Sequence, residues 1–158
     1  MAEITFDSRN DYRQAVDTVL RTATRELCIF DPDLKAPDFE SAGRAEMLGA
    51  FLSADAVRRV RIVLHDTEHI SRYGARILAL LKRHSYSMTI RQTPDNLRQL
   101  ADCFVLGDGT SVVVRFHADH YRGKLVLLAP DEVHGWRNRF EDLWAESTPA
   151  VPATHLGL

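Results

Sequence analysis

The stretch "LADCFVLGDG", Leu100 to Gly109, decides how the whole chain is read. Its apolar centre is a strand, and Asp108-Gly109 is a strong signal for a two-residue hairpin. "SVVVRF" (111–116) supplies the returning strand. A polar connection, "FHADHYRG" (116–123), leads to a further strand, "KLVLLA" (124–129). Pro130 and Asp131 then open a final helix with Val133, Trp136, Phe140, Leu143 and Trp144 on one side. The C-terminal half is thus a strand meander closed by a helix.

Upstream, strands alternate with helices. "EITF" (3–6) is a short first strand, and Ser8 caps a helix with Asp11 three residues on, in the manner of a capping box. Tyr12, Ala15, Val16, Val19, Leu20 and Ala23 give that helix one buried face. "ELCIF" (26–30) is a strand, and "DPDLKAPD" (31–38) is a loop. A second helix runs from Phe39 to Leu52 with Met47, Leu48, Phe51 and Leu52 inward. "VRRVRIVLHD" (57–66) is a strand whose Ile62-Val63-Leu64 is apolar on both faces, as in a sheet covered by helices. A third helix starts near Thr67 with Ile70, Tyr73, Ile77, Leu78 and Leu81 as its stripe, and "SMTIRQ" (87–92) is the next strand. The order β-α-β-α-β-α-β-β-β-β-α predicts one α/β domain: a mixed, mainly parallel sheet between helical layers, over residues 4–147, followed by an extended tail at 148–158.

The bulk numbers suit one soluble domain. The chain has 158 residues, 45% hydrophobic and 27% charged, which is enough for one sizeable core. A formal net charge of −2 argues against a sequence-independent grip on nucleic acid, while leaving room for a local basic patch. Cys28 and Cys103 lie in apolar runs without zinc or disulfide spacing, so both read as buried small hydrophobes in a reducing compartment. No signal peptide and no membrane-spanning stretch is legible, and the expected location is the cytoplasm.

Strand, Asp-Gly, strand and a last helix ending "FEDLW" (140–144), behind a βαβα half, together resemble one half of the phospholipase D superfamily. "CIFDPDL" (28–34) and "VRIVLHD" (60–66) match the superfamily's first two core strands. Its catalytic strand carries His-x-Lys, four residues, then Asp. With Asp108 at the aspartate, the lysine position is Cys103 and the histidine position is Ala101. The resemblance implies a histidine nucleophile, a second histidine as general acid and a lysine steadying phosphate charge. Alanine offers no lone pair and a neutral thiol no positive charge, so the motif is degenerate and no catalytic residue is assigned. The plainer role of Asp108 is to shape its turn. The resemblance also implies a homodimer, because one chain supplies one half of a two-motif site. Apolar Ala101 and Cys103 would ease burial of the facing strands, and restoring Ala101→His and Cys103→Lys would be tolerated by the fold.

Other polar residues are candidates for a ligand. By position, Arg115 to Ala118 falls where active members carry a Gly-Ser-x-Asn run beside the phosphate. Arg115 and His117 would then point at the old pocket, with His120 and Arg122 nearby as anion contacts. His117, Asp119 and His120 do not form a specific metal signature, and no metal and no cofactor is assigned. Asp31, Asp33, His65 and Asp66 follow neighbouring strands, where ligands of α/β sheets bind, though aspartates there also cap helices and start turns. In "RRVR" (58–61), Arg59 and Arg61 share a face. No Gly-rich phosphate loop, nucleophile elbow or zincin motif is present. The resulting reading is a non-catalytic binding or assembly module, homodimeric, with a phosphate-bearing ligand or a protein partner and nucleic acid a weaker option. The alternative is a phosphodiesterase or nuclease that has moved its reactive histidine to His117 or His120.

Overall fold

In a computed structural model that describes residues 2–150, β1 (Ala2–Phe6) leads into α1 (Arg9–Thr22), β2 (Glu26–Asp31), α2 (Ala42–Ala54) and β3 (Arg59–Leu64). Two short helices follow, α3 (Glu68–Tyr73) and α4 (Ala75–Arg83), then β4 (Met88–Gln92) and a single 3-10 turn at Asp95–Leu97. β5 (Cys103–Gly107), β6 (Ser111–Arg115) and β7 (Gly123–Leu127) precede α5 (Pro130–Glu146) and β8 (Thr148–Pro149). The strands form one sheet in the order β1-β7-β6-β5-β2-β3-β4-β8.

The element order read from the sequence recurs in the molecule with the third helix split in two and an added strand after α5, and the sheet is mixed. Parallel pairing, however, is confined to β2-β3 and β3-β4, and the other five pairings are antiparallel. β1 does not join the parallel group. The β5-β6-β7 meander lies beside β2, so α1 carries the chain across it and β1 pairs with β7 at the far edge. β8 arises within the expected tail and adds an antiparallel strip to β4; residues 151–158 lie outside the described ones.

Strand alternation divides the core. Leu27, Ile29, Val60, Ile62, Val105 and Val113 pack under α1, α2 and α4, while Cys28, Phe30, Val63, Phe104, Leu106, Val112 and Val114 pack under α5. The Ser8 hydroxyl caps α1 by accepting from the Asp11 N–H at 3.1 Å. The helix expected after Thr67 breaks at Gly74, where a Cβ would lie 2.5 Å from the Ile70 carbonyl oxygen. The break shifts the stripe, and Tyr73 is 65% exposed rather than inward. Phe39 lies ahead of α2 and is buried in the loop before it.

Asp108 fixes the end of the meander. The β5-β6 connection has three residues, Asp108 to Thr110, closed by the Gly107–Ser111 pair, rather than two. Asp108 and Gly109 take left-handed φ of 57° and 67°. The Asp108 carboxylate accepts from three successive backbone N–H groups at the start of β2: Thr24 at 2.9 Å, Arg25 at 2.7 Å and Glu26 at 2.9 Å. Partial burial pushes this carboxyl up, but those N–H groups prevail and hold it below the ordinary aspartate value. Asp108→Asn keeps a residue that tolerates the left-handed turn and removes the charge, so a loss of about 2 kcal/mol in urea unfolding at neutral pH is expected. Because the folded value is depressed, the carboxylate's contribution is full above about pH 4 to 5. It fades as pH falls through the folded value, and the gap between wild type and variant should close in the same acid range.

Candidate functional site

Ala101 and Cys103 lie at the end of the sheet where β2 and β6 finish and β5 begins. Cys103 is opposite Arg115 on β6, and on the other side the β2-β5 register, continued by one step, sets Asp31 opposite Cys103. Asp31, Cys103 and Arg115 therefore form one row across three strands, on the α1 face. The three residues are 2%, 1% and 3% exposed.

This row is held together by its own charges. Arg115 Nη2 donates to Asp31 Oδ1 at 3.1 Å and lies 3.4 Å from Cys103 Sγ, while Nη1 donates to the Ala118 carbonyl at 2.8 Å. The rings of Tyr12 and Tyr121 cover the guanidinium at 5.5 and 5.7 Å. Asp31 Oδ2 also accepts from the Leu34 and Asp33 N–H groups, which turns the chain out of β2. Burial lifts the Asp31 carboxyl above the ordinary aspartate range, against the pull of Arg115 and those N–H groups. The pair is ionised at neutral pH, since a guanidinium does not give up its proton there and would be costly to bury alone. Burial likewise pushes the Cys103 and Cys28 thiols up, so neither is a ready nucleophile.

The sequence reading has Arg115 and Asp31 as ligand contacts. In the structure the two Arg115 Nη atoms are taken by Asp31 and the Ala118 carbonyl and the two tyrosines cover the guanidinium, while its buried Nε has no hydrogen-bond partner among the described residues. Asp31 forms the turn after β2 and pairs with Arg115. Ala101 is half-buried, and its carbonyl accepts from the Ala118 N–H at 2.7 Å, drawing the 116–122 loop over the row.

His65 is also structural. Its Nε2 lies 2.8 Å from the Leu100 carbonyl, which can only accept, so Nε2 carries the proton and Nδ1 accepts from the Thr93 hydroxyl at 2.6 Å. The ring thereby ties β3 to the segment entering β5. Asp66 Oδ1 accepts from the Glu68 N–H, and Asp33 Oδ1 from the Lys35 N–H, which are the turn and cap duties open to such aspartates.

His117, His120 and Arg122 stay exposed on the loop above the row. The two imidazoles are 5.8 Å apart, and each Nδ1 accepts a backbone N–H two residues on, from Asp119 and Arg122. Among the described residues no group of three His, Cys, Asp or Glu side chains is placed to hold a metal ion. Arg122 is 3.8 Å from Asp7. The sequence reading missed Tyr12 and Tyr121 as covers and missed the Asp31–Arg115 pair. A legible signal existed: opposite charges end two apolar strands, each in phase with an inward residue, Ile29 or Val113.

Solved structures share this architecture. TrmBL2, an archaeal chromatin protein whose structure is described as showing a novel mode of DNA binding, superposes with a TM-score of 0.71 at 11% identity, over 95% of this chain and 54% of its own. Nuc, a phospholipase D family member from Salmonella typhimurium, gives 0.61 at 12% identity, over 94% of this chain and 99% of its own. Phosphatidylserine synthase from Haemophilus influenzae gives 0.63 at 11% identity, over 98% of this chain and 40% of its own. The chain thus spans about half the length of the first and nearly all of the second. The fold is that of the phospholipase D-like superfamily, and at these identities the likeness concerns the fold alone. No curated protein matches the sequence. Among the described residues no helix is long and apolar enough to cross a membrane. Family comparison assigns the sequence more narrowly: residues 8–155 match the model described as Domain of unknown function (DUF7931), and the chain belongs to that family.

Proposed function

We propose that this domain is a non-catalytic phospholipase D-like binding module that acts as a homodimer and takes a phosphate-bearing ligand. One observation carries the reading: the Asp31–Cys103–Arg115 row fills the place where the superfamily keeps its reacting side chains. A phosphoryl group needs a nucleophile with a lone pair and cations that turn toward it. Here Ala101 supplies no nucleophile, and the nearest cation is engaged by a carboxylate.

The homodimer rests on the half-site logic that the resemblance implies: one chain of this extent, matching nearly the whole of Nuc, supplies one motif. The exposed loop at 116–122 offers a facing surface, with Phe116 46% exposed beside His117 and Arg122. The likeness to a chromatin protein keeps nucleic acid among the phosphate-bearing ligands.

Purified protein is expected to release no p-nitrophenol from bis(p-nitrophenyl) phosphate above the buffer rate between pH 5 and 8. Turnover that disappears in His117→Ala, with the fold retained, would replace this reading by that of an enzyme with a relocated histidine. Cys103→Lys should lower stability by about 3 to 5 kcal/mol, measured by denaturant unfolding, because two buried cations, the new ammonium and Arg115, would then share the single Asp31 carboxylate. Light scattering should give twice the mass of one chain, and Phe116→Glu should give the single-chain mass with unchanged circular dichroism.

A further inference from the structure

A second polar constellation lies on the opposite face and at the opposite end of the sheet. A cavity of about 400 Å³ opens there beneath α5, lined by the first residues of β2 and β3, the Asp108-Gly109 turn and one side of α5. Four arginines reach it: Arg25, Arg59, Arg61 and Arg137. Arg59 and Arg61 come from the basic run before β3, where alternation puts both on the α5 face.

Their charges are unevenly compensated. Arg61 holds two carboxylates, Glu26 and Glu141, through its own hydrogen bonds. Asp108 is engaged by the backbone N–H groups of residues 24–26. Among the described residues, Arg25, Arg59 and Arg137 have no carboxylate within salt-bridge distance. Arg25 bonds the Asp108 carbonyl, and Arg59 bonds the carbonyls of Ala56 and Arg58. Arg137 lies over Gly109, where a Cβ would come within 3.0 Å of its side chain. The cavity thus gathers four guanidiniums and three carboxylates, in a chain whose net charge is −2.

Repulsion among exposed guanidiniums does nothing for the fold, and a charged patch at a cavity mouth concentrates the opposite charge. Leu106 and Phe140, 2% and 1% exposed, form its apolar floor with Cys28, and Val57, 70% exposed, stands at its edge. A site with unpaired guanidinium forks beside an apolar wall, of this volume, matches a small molecule with a phosphate at one end and a flat or apolar body at the other.

We propose that the cavity bounded by Arg25, Arg59 and Arg137 binds a phosphate ester of nucleotide size, with the guanidiniums on the phosphate and Val57, Leu106 and Phe140 against its body. The proposal deepens the reading of the domain as a binding module by moving the phosphate away from the superfamily position. It rests on that reading for the class of ligand, and the phosphodiester assay above judges that reading separately.

The test is calorimetric titration of the full chain with 5′-AMP and 5′-GMP, with adenosine, inorganic phosphate and a single-stranded 12-mer oligonucleotide as the other arms. At least one nucleotide should bind saturably, and adenosine and phosphate should each bind at least tenfold more weakly. Arg59→Ala and Arg137→Ala, both at exposed positions, should each weaken binding about tenfold, the loss of one charge-assisted hydrogen bond. Arg72→Ala, on α3 and paired with Glu68, should leave it unchanged. Oligonucleotide binding that the nucleotide displaces would agree with the site and name a nucleic-acid source for the phosphate. No saturable nucleotide binding, binding indifferent to both arginine variants, or oligonucleotide binding that the nucleotide does not displace would each overturn the proposal.

Discussion

The pairing of Arg115 with Asp31 across β5 is the constraint around which this domain is arranged. The two charges lie in line on the strands flanking β5, and the small, uncharged Cys103 side chain lies between them. Tyr12 comes from the first turns of α1 and Tyr121 from the loop before β7, so the pair also fixes how the helix and the loop approach the sheet.

Much of the fold was legible because its signals are local. Apolar runs of strand length, the Ser8 cap and the Asp-Gly turn act within a few residues, and each appears where the sequence puts it. Pairing across the sheet is not local. Nothing within residues 2 to 6 says that the first strand crosses behind a meander to reach the far edge, because its partner is more than a hundred residues away. The broken helix at Gly74 illustrates a middle case, in which a glycine was visible but its close approach to the Ile70 carbonyl was not. The candidate site divides in the same way. That Ala101 and Cys103 stand at the histidine and lysine positions is what the resemblance to the superfamily implies, with Asp108 as the anchor. Asp31 and His65 looked like ligand contacts because they follow strands at the ligand-binding edge of an α/β sheet, and Arg115 because of the superfamily position it matches; only the register across β2, β5 and β6 reveals that Asp31 and Arg115 pair with each other.

Asp108 links the two ends of the molecule. In the motif it stands last, at the far end of the strand from the reacting positions, and its carboxylate gathers the N–H groups that begin β2. That task does not depend on chemistry at Ala101 or Cys103, which explains how the aspartate can stand in a strand whose partners have changed. The same turn forms one edge of the arginine-lined cavity, so Asp108 borders the region where positive charge is concentrated.

Burial of both thiols has a practical corollary. The two thiols are on opposite faces of one sheet, Cys28 in the wall of the arginine-lined cavity and Cys103 beneath the ion pair. Alkylation of Cys103 therefore serves as a clock for lifting of the α1 layer, whereas Cys28 is approached from the cavity side.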